Sequence, residues 1–200
     1  MFEVFLLLRR LIYVGTKRNY KVGTYENLLR AWGWLRSNPD PKYKTYFGDL
    51  YSIFSRSDIE QIKSLEKKIR SDQYTPSPPC KIYSPKSSGV LRPITLLTIE
   101  DQIVYQGFAS IIADKLYPKV KQNYFYKNFG NLYAGRNNIW FYKNWKEGYK
   151  AFNKEARNAF NQGLIYTASF DLTACYDSID HEVLRYFLEK IGCPRELIDK

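Results

Sequence analysis

The chain has 200 residues with 31 Lys or Arg against 20 Asp or Glu, a formal charge of +11, and 17% of its residues are aromatic. With 44% apolar and 26% charged residues, the composition is that of a folded globular chain and excludes a disordered or collagen-like one. No run of 18 apolar residues is present, so no segment reads as a membrane-spanning helix, and Phe2–Leu8, followed at once by Arg9-Arg10, makes a poor signal peptide.

Residues 1–24 read as an N-terminal extension. In 25–36, Leu28, Leu29, Trp32 and Leu35 recur at helical spacing, and Asn38-Pro39-Asp40-Pro41 ends that helix. A second helix is expected over 58–70, with Ser57 and Glu60 as a capping box and Ile59, Ile62, Leu65 and Ile69 as one apolar stripe facing the core. Thr75-Pro76-Ser77-Pro78-Pro79 is extended, because proline disfavours helix at itself and at the residue before it. Strands are expected over 81–85 and 91–97, joined by Lys86-Ser87-Ser88-Gly89 with Gly89 at positive φ.

Thr98 with Asp101 then caps a long helix through Leu116, buried through Ile103, Phe108, Ile111, Ile112 and Leu116. Eleven aromatic residues lie between Tyr117 and Tyr149, interleaved with lysines. A few of these rings could stack on nucleic-acid bases, but most are expected in the core, since aromatics carry much of any core's buried area. Leu164–Leu172 has strand propensity and ends in an acid. Ser178 or Asp180 caps a last helix bearing Val183, Leu184, Phe187, Leu188 and Ile191, with Gly192 past its end. Pro194 opens one more helical turn before Lys200, as expected of the front portion of a larger unit.

The charge is unevenly spread. The first three quarters of the chain carry net +5, +3 and +5, whereas the last has six basic and eight acidic residues. Basic walls with many rings suit a polyanion bearing flat bases, and an acidic final quarter suits metal ions held on carboxylates. Cys80, Cys175 and Cys193 form neither a C-x-x-C pair nor an even disulfide set, which fits a reducing, cytoplasmic compartment. The lone His181 argues against a histidine metal site or a Ser-His-Asp triad.

Two segments carry chemistry. Asp171 closes the apolar run Leu164–Phe170 and is followed by Tyr176-Asp177. A carboxylate at a strand end, with the Leu172 carbonyl beside it, suits the hard-oxygen preference of Mg²⁺. A second acid from elsewhere would then be needed to hold two ions roughly 3.5–4 Å apart for in-line attack at phosphorus. Asp also ends strands and caps helices, and capping is the plainer reading of Asp177 and Asp180. The hairpin Pro85–Ile94 presents Lys86 at its turn and Arg92 on its return strand, two cations able to clamp a triphosphate. The plain alternative is a solvated basic hairpin.

Taken together, Pro85-Lys86 … Gly89 … Arg92-Pro93, Thr98–Gln106 (TIEDQIVYQ) and Phe170–Leu184 (FDLTACYDSIDHEVL) resemble the reverse transcriptase family, in its bacterial branch of group II intron, retron, diversity-generating and phage-defence enzymes. Asn27-Leu28-Leu29, Trp32 and Tyr74-Thr75-Pro76 are also similar, so the resemblance covers about residues 25–192. It implies an α+β right-hand polymerase, with fingers and a connecting segment over 25–160 and the first part of a palm over 161–200. It implies RNA-directed DNA synthesis on an RNA template, giving a DNA product from deoxynucleoside triphosphates, with two Mg²⁺ ions in the complete active site. A structured non-coding RNA is a candidate further partner, and no membrane is implied. Asp171 and the Leu172 carbonyl would bind metal, Lys86 and Arg92 would contact the triphosphate, and Tyr176 would gate against a ribose 2′-hydroxyl. Cys175 stands where the family usually has an aromatic residue, and the connector Tyr124–Asn137 departs further.

The family's second palm motif, an aromatic-x-Asp-Asp turn, is absent, and no Asp-Asp pair occurs in these 200 residues. Two readings therefore stand: the front of a polymerase, with phage defence favoured among its roles, or a catalytically silent RNA-binding scaffold of the same fold. On the first, the 200-residue chain by itself gives no Mg²⁺-dependent primer extension, because one carboxylate cannot assemble two ions. Extension above background by the isolated chain would overturn that expectation.

Overall fold

The computed structural model describes residues 21–37, 41–172, 175 and 178–193. A 3₁₀ turn, Lys21–Gly23, leads into α1 (Tyr25–Ser37), α2 (Pro41–Arg56) and α3 (Asp58–Arg70). A hairpin of β1 (Cys80–Pro85) and β2 (Leu91–Leu96) follows, then α4 (Ile99–Lys121), α5 (Trp145–Asn161) and α6 (His181–Lys190). The architecture is mixed helix and sheet, helix-rich with one antiparallel two-stranded sheet among the described residues.

The core forms where α1 crosses α4, with α2 and α3 closing one side. Leu28, Ala31 and Trp32 of α1 pack with Phe54 of α2, Ile62 and Leu65 of α3, and Ile103, Val104 and Phe108 of α4. The Trp32 ring lies 4.7 Å from Phe54 and its Nε1 donates to Asp58 Oδ2 at 3.1 Å, so this large side chain is buried with its one donor satisfied. Asp58, in the first turn of α3, also accepts from Arg36 at 3.4 Å and suits the positive end of the helix dipole. Glu66 of α3 accepts from the Tyr25 backbone N–H at 3.1 Å, which satisfies an orphan donor at the start of α1.

A polar seam runs through the α1–α4 contact. The Asn27 amide, 3% exposed, donates to the Val22 and Gly107 carbonyls at 3.0 and 3.2 Å. Its oxygen accepts from Arg30 at 2.8 Å and from the Ser110 hydroxyl at 3.0 Å. Gly107 leaves little room here, since a Cβ would come to 3.0 Å from Asn27 Nδ2 and press on the seam.

The caps and the hairpin follow the sequence closely, with four exceptions. Ser57 makes no side-chain cap bond, because its N–H turns back to the Phe54 carbonyl in the tight α2–α3 junction. Ile59 is 52% exposed and off the α3 stripe, which rests on Ile62, Leu65 and Ile69. Residues 164–172 form no strand. They are irregular and exposed, with Phe170 at 93%, because strand propensity without a neighbouring strand leaves the ladder's donors and acceptors to water. The expected palm strand is thus not formed by these residues.

The fourth exception is the aromatic run, whose rings are mostly outside the core. Of the eleven, Tyr133 alone is buried, while Tyr126, Trp140, Tyr142, Trp145 and Tyr149 are among the exposed ones. The half-buried members pack edge-on in a peripheral cluster, Phe141 against Trp34 at 5.0 Å and Tyr117 against Tyr133 at 5.8 Å. Two elements, α2 and α5, were not expected from the sequence at all.

At the head of α4 the Asp101 carboxylate is 5% exposed and accepts from the Tyr74 hydroxyl, from Thr98 Oγ1 at 2.6 Å and from the Ser77 N–H at 3.2 Å. Thr98 Oγ1 in turn accepts from the Asp101 N–H at 3.2 Å. Burial, and secondarily the Asp101 carboxylate, hold the Tyr74 phenol far above its usual ionisation range. In the unfolded chain Tyr74 ionises near pH ~10, so the fold keeps a proton that the unfolded chain releases above that pH. The contribution is complete below pH ~10 and falls by about 1.4 kcal/mol per unit as pH rises beyond it. Tyr74→Phe is expected to lose about 1–3 kcal/mol at pH 7, from the orphaned Asp101 oxygen, and to have a shallower alkaline slope than the wild type. Urea unfolding of both proteins at pH 7 and pH 10.5 measures this, and equal slopes would refute it.

Candidate nucleotide-contacting site

The β-hairpin is a projecting ribbon with a buried root. Its register pairs Cys80 with Leu96, Ile82 with Ile94 and Ser84 with Arg92, so Arg92 shares a face with Ile94 and Leu96. Leu96 is 3% exposed, whereas Tyr83, Val90 and Leu91 toward the tip are 57–63% exposed. The tip closes with Lys86 N–H to the Val90 carbonyl at 2.9 Å and Gly89 N–H to the Lys86 carbonyl at 3.0 Å. Gly89, at φ +81°, supplies the left-handed residue that this turn needs. Pro85 and Pro93 cost little here, since a two-stranded sheet has only edge strands.

Both roots of the ribbon are fixed. On the entry side the Ser77 N–H donates to Asp101, and on the exit side Gln102 Nε2 donates to the Leu97 carbonyl at 2.9 Å. The Tyr51 hydroxyl of α2 completes the Gln102 side chain. Lys86 and Arg92 are therefore brought together on one anchored element, and their side chains are exposed and meet no acid among the described residues. That arrangement presents two unneutralised cations to an anion arriving from solvent.

Asp171 and Leu172 sit elsewhere, at the end of the exposed 164–172 segment. No hydrogen bond or ion pair joins Asp171 to the hairpin among the described residues. Tyr176, the expected sugar gate, and Asp177 lie outside the described residues. Further along, Asp180 caps α6 by accepting from the N–H groups of Glu182 and Val183 at 2.8 and 3.1 Å, which makes it a structural acid. Gly192, at φ +79°, follows the end of α6, and its carbonyl accepts from Lys115 of α4 at 2.5 Å. Burial raises the nearby Cys193 thiol, with Lys115 opposing it.

Whether these residues suit magnesium turns on their donor set. One carboxylate and one backbone carbonyl are oxygen donors of the right hardness, but among the described residues no three Asp, Glu, His or Cys side chains converge. Asp171 and Leu172 can thus furnish part of a hard-cation site and not the whole of it.

A second polar cluster, with no signal in the sequence, lies beside the seam. Arg30 donates to Asn27 and to Ser110 Oγ at 3.3 Å, pairs with Asp114 at 3.6 Å and lies over the Trp34 ring at 5.1 Å. Asp114 also accepts from the Tyr133 hydroxyl at 2.6 Å, and burial with this bond raises the Tyr133 phenol. Every element of this cluster is satisfied by packing inside the protein except the buried Arg30 Nε and Nη1. Its role is to fix α1, α4 and the 132–142 loop together.

No described helix is long and apolar enough to cross a membrane. Comparison of the chain with protein-family profiles, curated proteins and solved structures gave no match.

α5 comes close to the loop before it at Gly148, which is buried and where a Cβ would overlap the Phe129 carbonyl oxygen. Gly148→Ala is expected to cost about 1–3 kcal/mol by forcing α5 off that loop. Gly33→Ala in α1, where a Cβ meets nothing within 4 Å, is expected to gain about 0.5–1 kcal/mol from lower unfolded-state entropy. Thermal unfolding of the two variants should show opposite signs, and equal shifts would refute the close approach.

Proposed function

We propose that the chain is the fingers and partial palm of an RNA-directed DNA polymerase of the reverse transcriptase type. The observation that carries this reading is the anchored hairpin, with Lys86 in its turn and Arg92 on its return strand, both exposed and unneutralised, ahead of Asp171 in the chain. Guanidinium and ammonium groups on a stiff ribbon can hold a deoxynucleoside triphosphate by its phosphates while the tip closes over it. Asp171 and the Leu172 carbonyl are proposed as part of a magnesium site that further acids would complete. When bound there, magnesium would supply charge neutralisation at the phosphoryl oxygens and ease ionisation of the primer 3′-hydroxyl. Tyr176 is proposed to exclude the ribose 2′-hydroxyl.

The proposed partners are an RNA template and its DNA product, with a structured non-coding RNA as a further candidate, in a cytoplasmic phage-defence setting. A silent RNA-binding scaffold is the second reading, favoured by the missing Asp-Asp pair and by the exposed, unsupported position of Asp171.

In the complete gene product, Asp171→Ala is expected to abolish DNA synthesis on a primed RNA while leaving RNA affinity nearly intact. Synthesis that survives Asp171→Ala would sink the polymerase reading, and parallel loss of binding would favour a structural role for the acid. Lys86→Ala and Arg92→Ala are each expected to raise the nucleotide KM about tenfold or more, with template affinity little changed. Steady-state incorporation kinetics with template-binding titrations check this, and weakened template binding at unchanged KM would refute the assignment.

A further inference from the structure

α5 sorts its side chains into two adjoining stripes. Trp145, Tyr149 and Phe160 lie along one side and are 63%, 58% and 64% exposed, with Ala156 between them. Phe152, next to this stripe, leans on Phe129 at 5.8 Å and marks the flank that rests on the body of the protein. Lys146, Lys150, Lys154 and Arg157 follow at steps of four, four and three on the adjacent strip, all exposed and none ion-paired with a described residue. Where the stripes meet, Asn153, Ala156, Arg157, Phe160 and Asn161 line an open depression of about 450 Å³.

The chemistry of these stripes selects among partners. Among its seventeen residues α5 has no Leu, Ile, Val or Met, so its apolar members are flat rings and alanines. A partner helix is met best by flexible aliphatic side chains that fill gaps, whereas rings beside cations suit a lipid headgroup layer or a chain of bases and phosphates, and the amides at the depression favour the bases. The Trp145 and Tyr149 rings meet edge to face at 6.3 Å, so each leaves a face free for stacking. At the depression the amides of Asn153 and Asn161 offer a donor and an acceptor each, as a base edge requires. From Trp145 to Phe160 the helix rises about 22 Å, roughly six nucleotides at a stacked rise of 3.4 Å.

We propose that α5 is a binding track for single-stranded nucleic acid, in which Trp145, Tyr149 and Phe160 stack on bases and Lys146, Lys150 and Arg157 meet phosphates. The depression against Phe160 receives one base. This track is separate from the hairpin and needs no nucleotide transfer, so it serves a polymerase and a silent scaffold equally.

The test is binding of a fluorescently labelled 12-nucleotide single-stranded RNA to the 200-residue chain, followed by anisotropy at several salt concentrations. Tyr149→Leu and Phe160→Leu keep the apolar surface and remove the ring, and each is expected to weaken binding about tenfold. Lys150→Gln with Arg157→Gln is expected to flatten the dependence of log affinity on log salt by about 1.4, at roughly 0.7 per phosphate contact on a single strand. The charge variant alters only exposed side chains, so it reports on the track even if a ring variant loses its fold. Wild-type affinity and salt slope in the charge variant would overturn the proposal. So would full RNA affinity in the leucine variants, or binding to phosphatidylserine vesicles that these variants abolish while RNA binding persists. Failure of the polymerase reading is scored separately, by DNA synthesis in the Asp171→Ala protein.

Discussion

One buried carboxylate holds the projecting ribbon to the core. Asp101 lies in the first turn of α4 and gathers the Tyr74 hydroxyl, the Thr98 hydroxyl and the Ser77 N–H. Tyr74 and Ser77 belong to the segment entering the hairpin and Thr98, the N-cap of α4, to the segment leaving it, so one side chain fixes both roots of a two-stranded sheet. A hairpin of that size is marginal alone in water. Its order therefore comes from the helix on which it stands, together with Leu96 and the Gln102–Leu97 bond. A buried carboxylate is stable only while such donors surround it, each worth about 1.5–3 kcal/mol. The dependence is mutual, because the ribbon also shields the acid.

The same helix is tied to α1 by amides and hydroxyls rather than by hydrocarbon alone. Asn27 spans from the Val22 carbonyl to the Gly107 carbonyl, and Ser110 and Arg30 complete its oxygen. Such a seam specifies register: sliding α1 by one turn on α4 would bury the Asn27 amide without partners, at about 1–3 kcal/mol for each unmade bond. Leu28, Trp32 and Ile103 supply burial on either side of it but would tolerate more than one alignment. Position of the hairpin relative to the core thus depends on two polar nodes, Asp101 in the first turn of α4 and Asn27 of α1, which meets α4 further along at Gly107 and Ser110.

Those nodes also explain which parts of the molecule could be read in the sequence. α1, α3, the hairpin and α4 were legible because each is a local pattern closed by a local signal: the Leu28–Trp32 spacing, the Gly89 turn, the Thr98–Asp101 cap. Lys86 and Arg92 came with the hairpin, one in its turn and the other on its return strand opposite Ser84. The buried bond between Tyr74 and Asp101 was not legible, since a contact across 27 residues leaves no periodicity. α5 was missed although Asn144, Trp145, Tyr149, Phe152 and Phe160 carry both cap and spacing. Its aromatic density read as core, and helical phase was not separated from burial. Ser57 and Ile59 failed for the opposite reason, a good local pattern overridden by the tight α2–α3 junction.

The segment 164–172 shows the limit of propensity most plainly. Ile165, Tyr166, Phe170 and Leu172 are strand formers, yet they stand 63–93% exposed, because a strand is completed by its neighbours and the one described sheet closes on itself through the Lys86–Val90 turn. Asp171 has no support of the kind that Asp101 enjoys: no described hydroxyl or N–H holds its carboxylate. A metal ligand must be positioned within a fraction of an ångström, and an exposed carboxylate without such donors is not held in that way. The two charged features of the chain therefore differ in kind. The cationic ribbon is already anchored by the core, whereas the acidic segment carries the right atoms without the framework that would aim them.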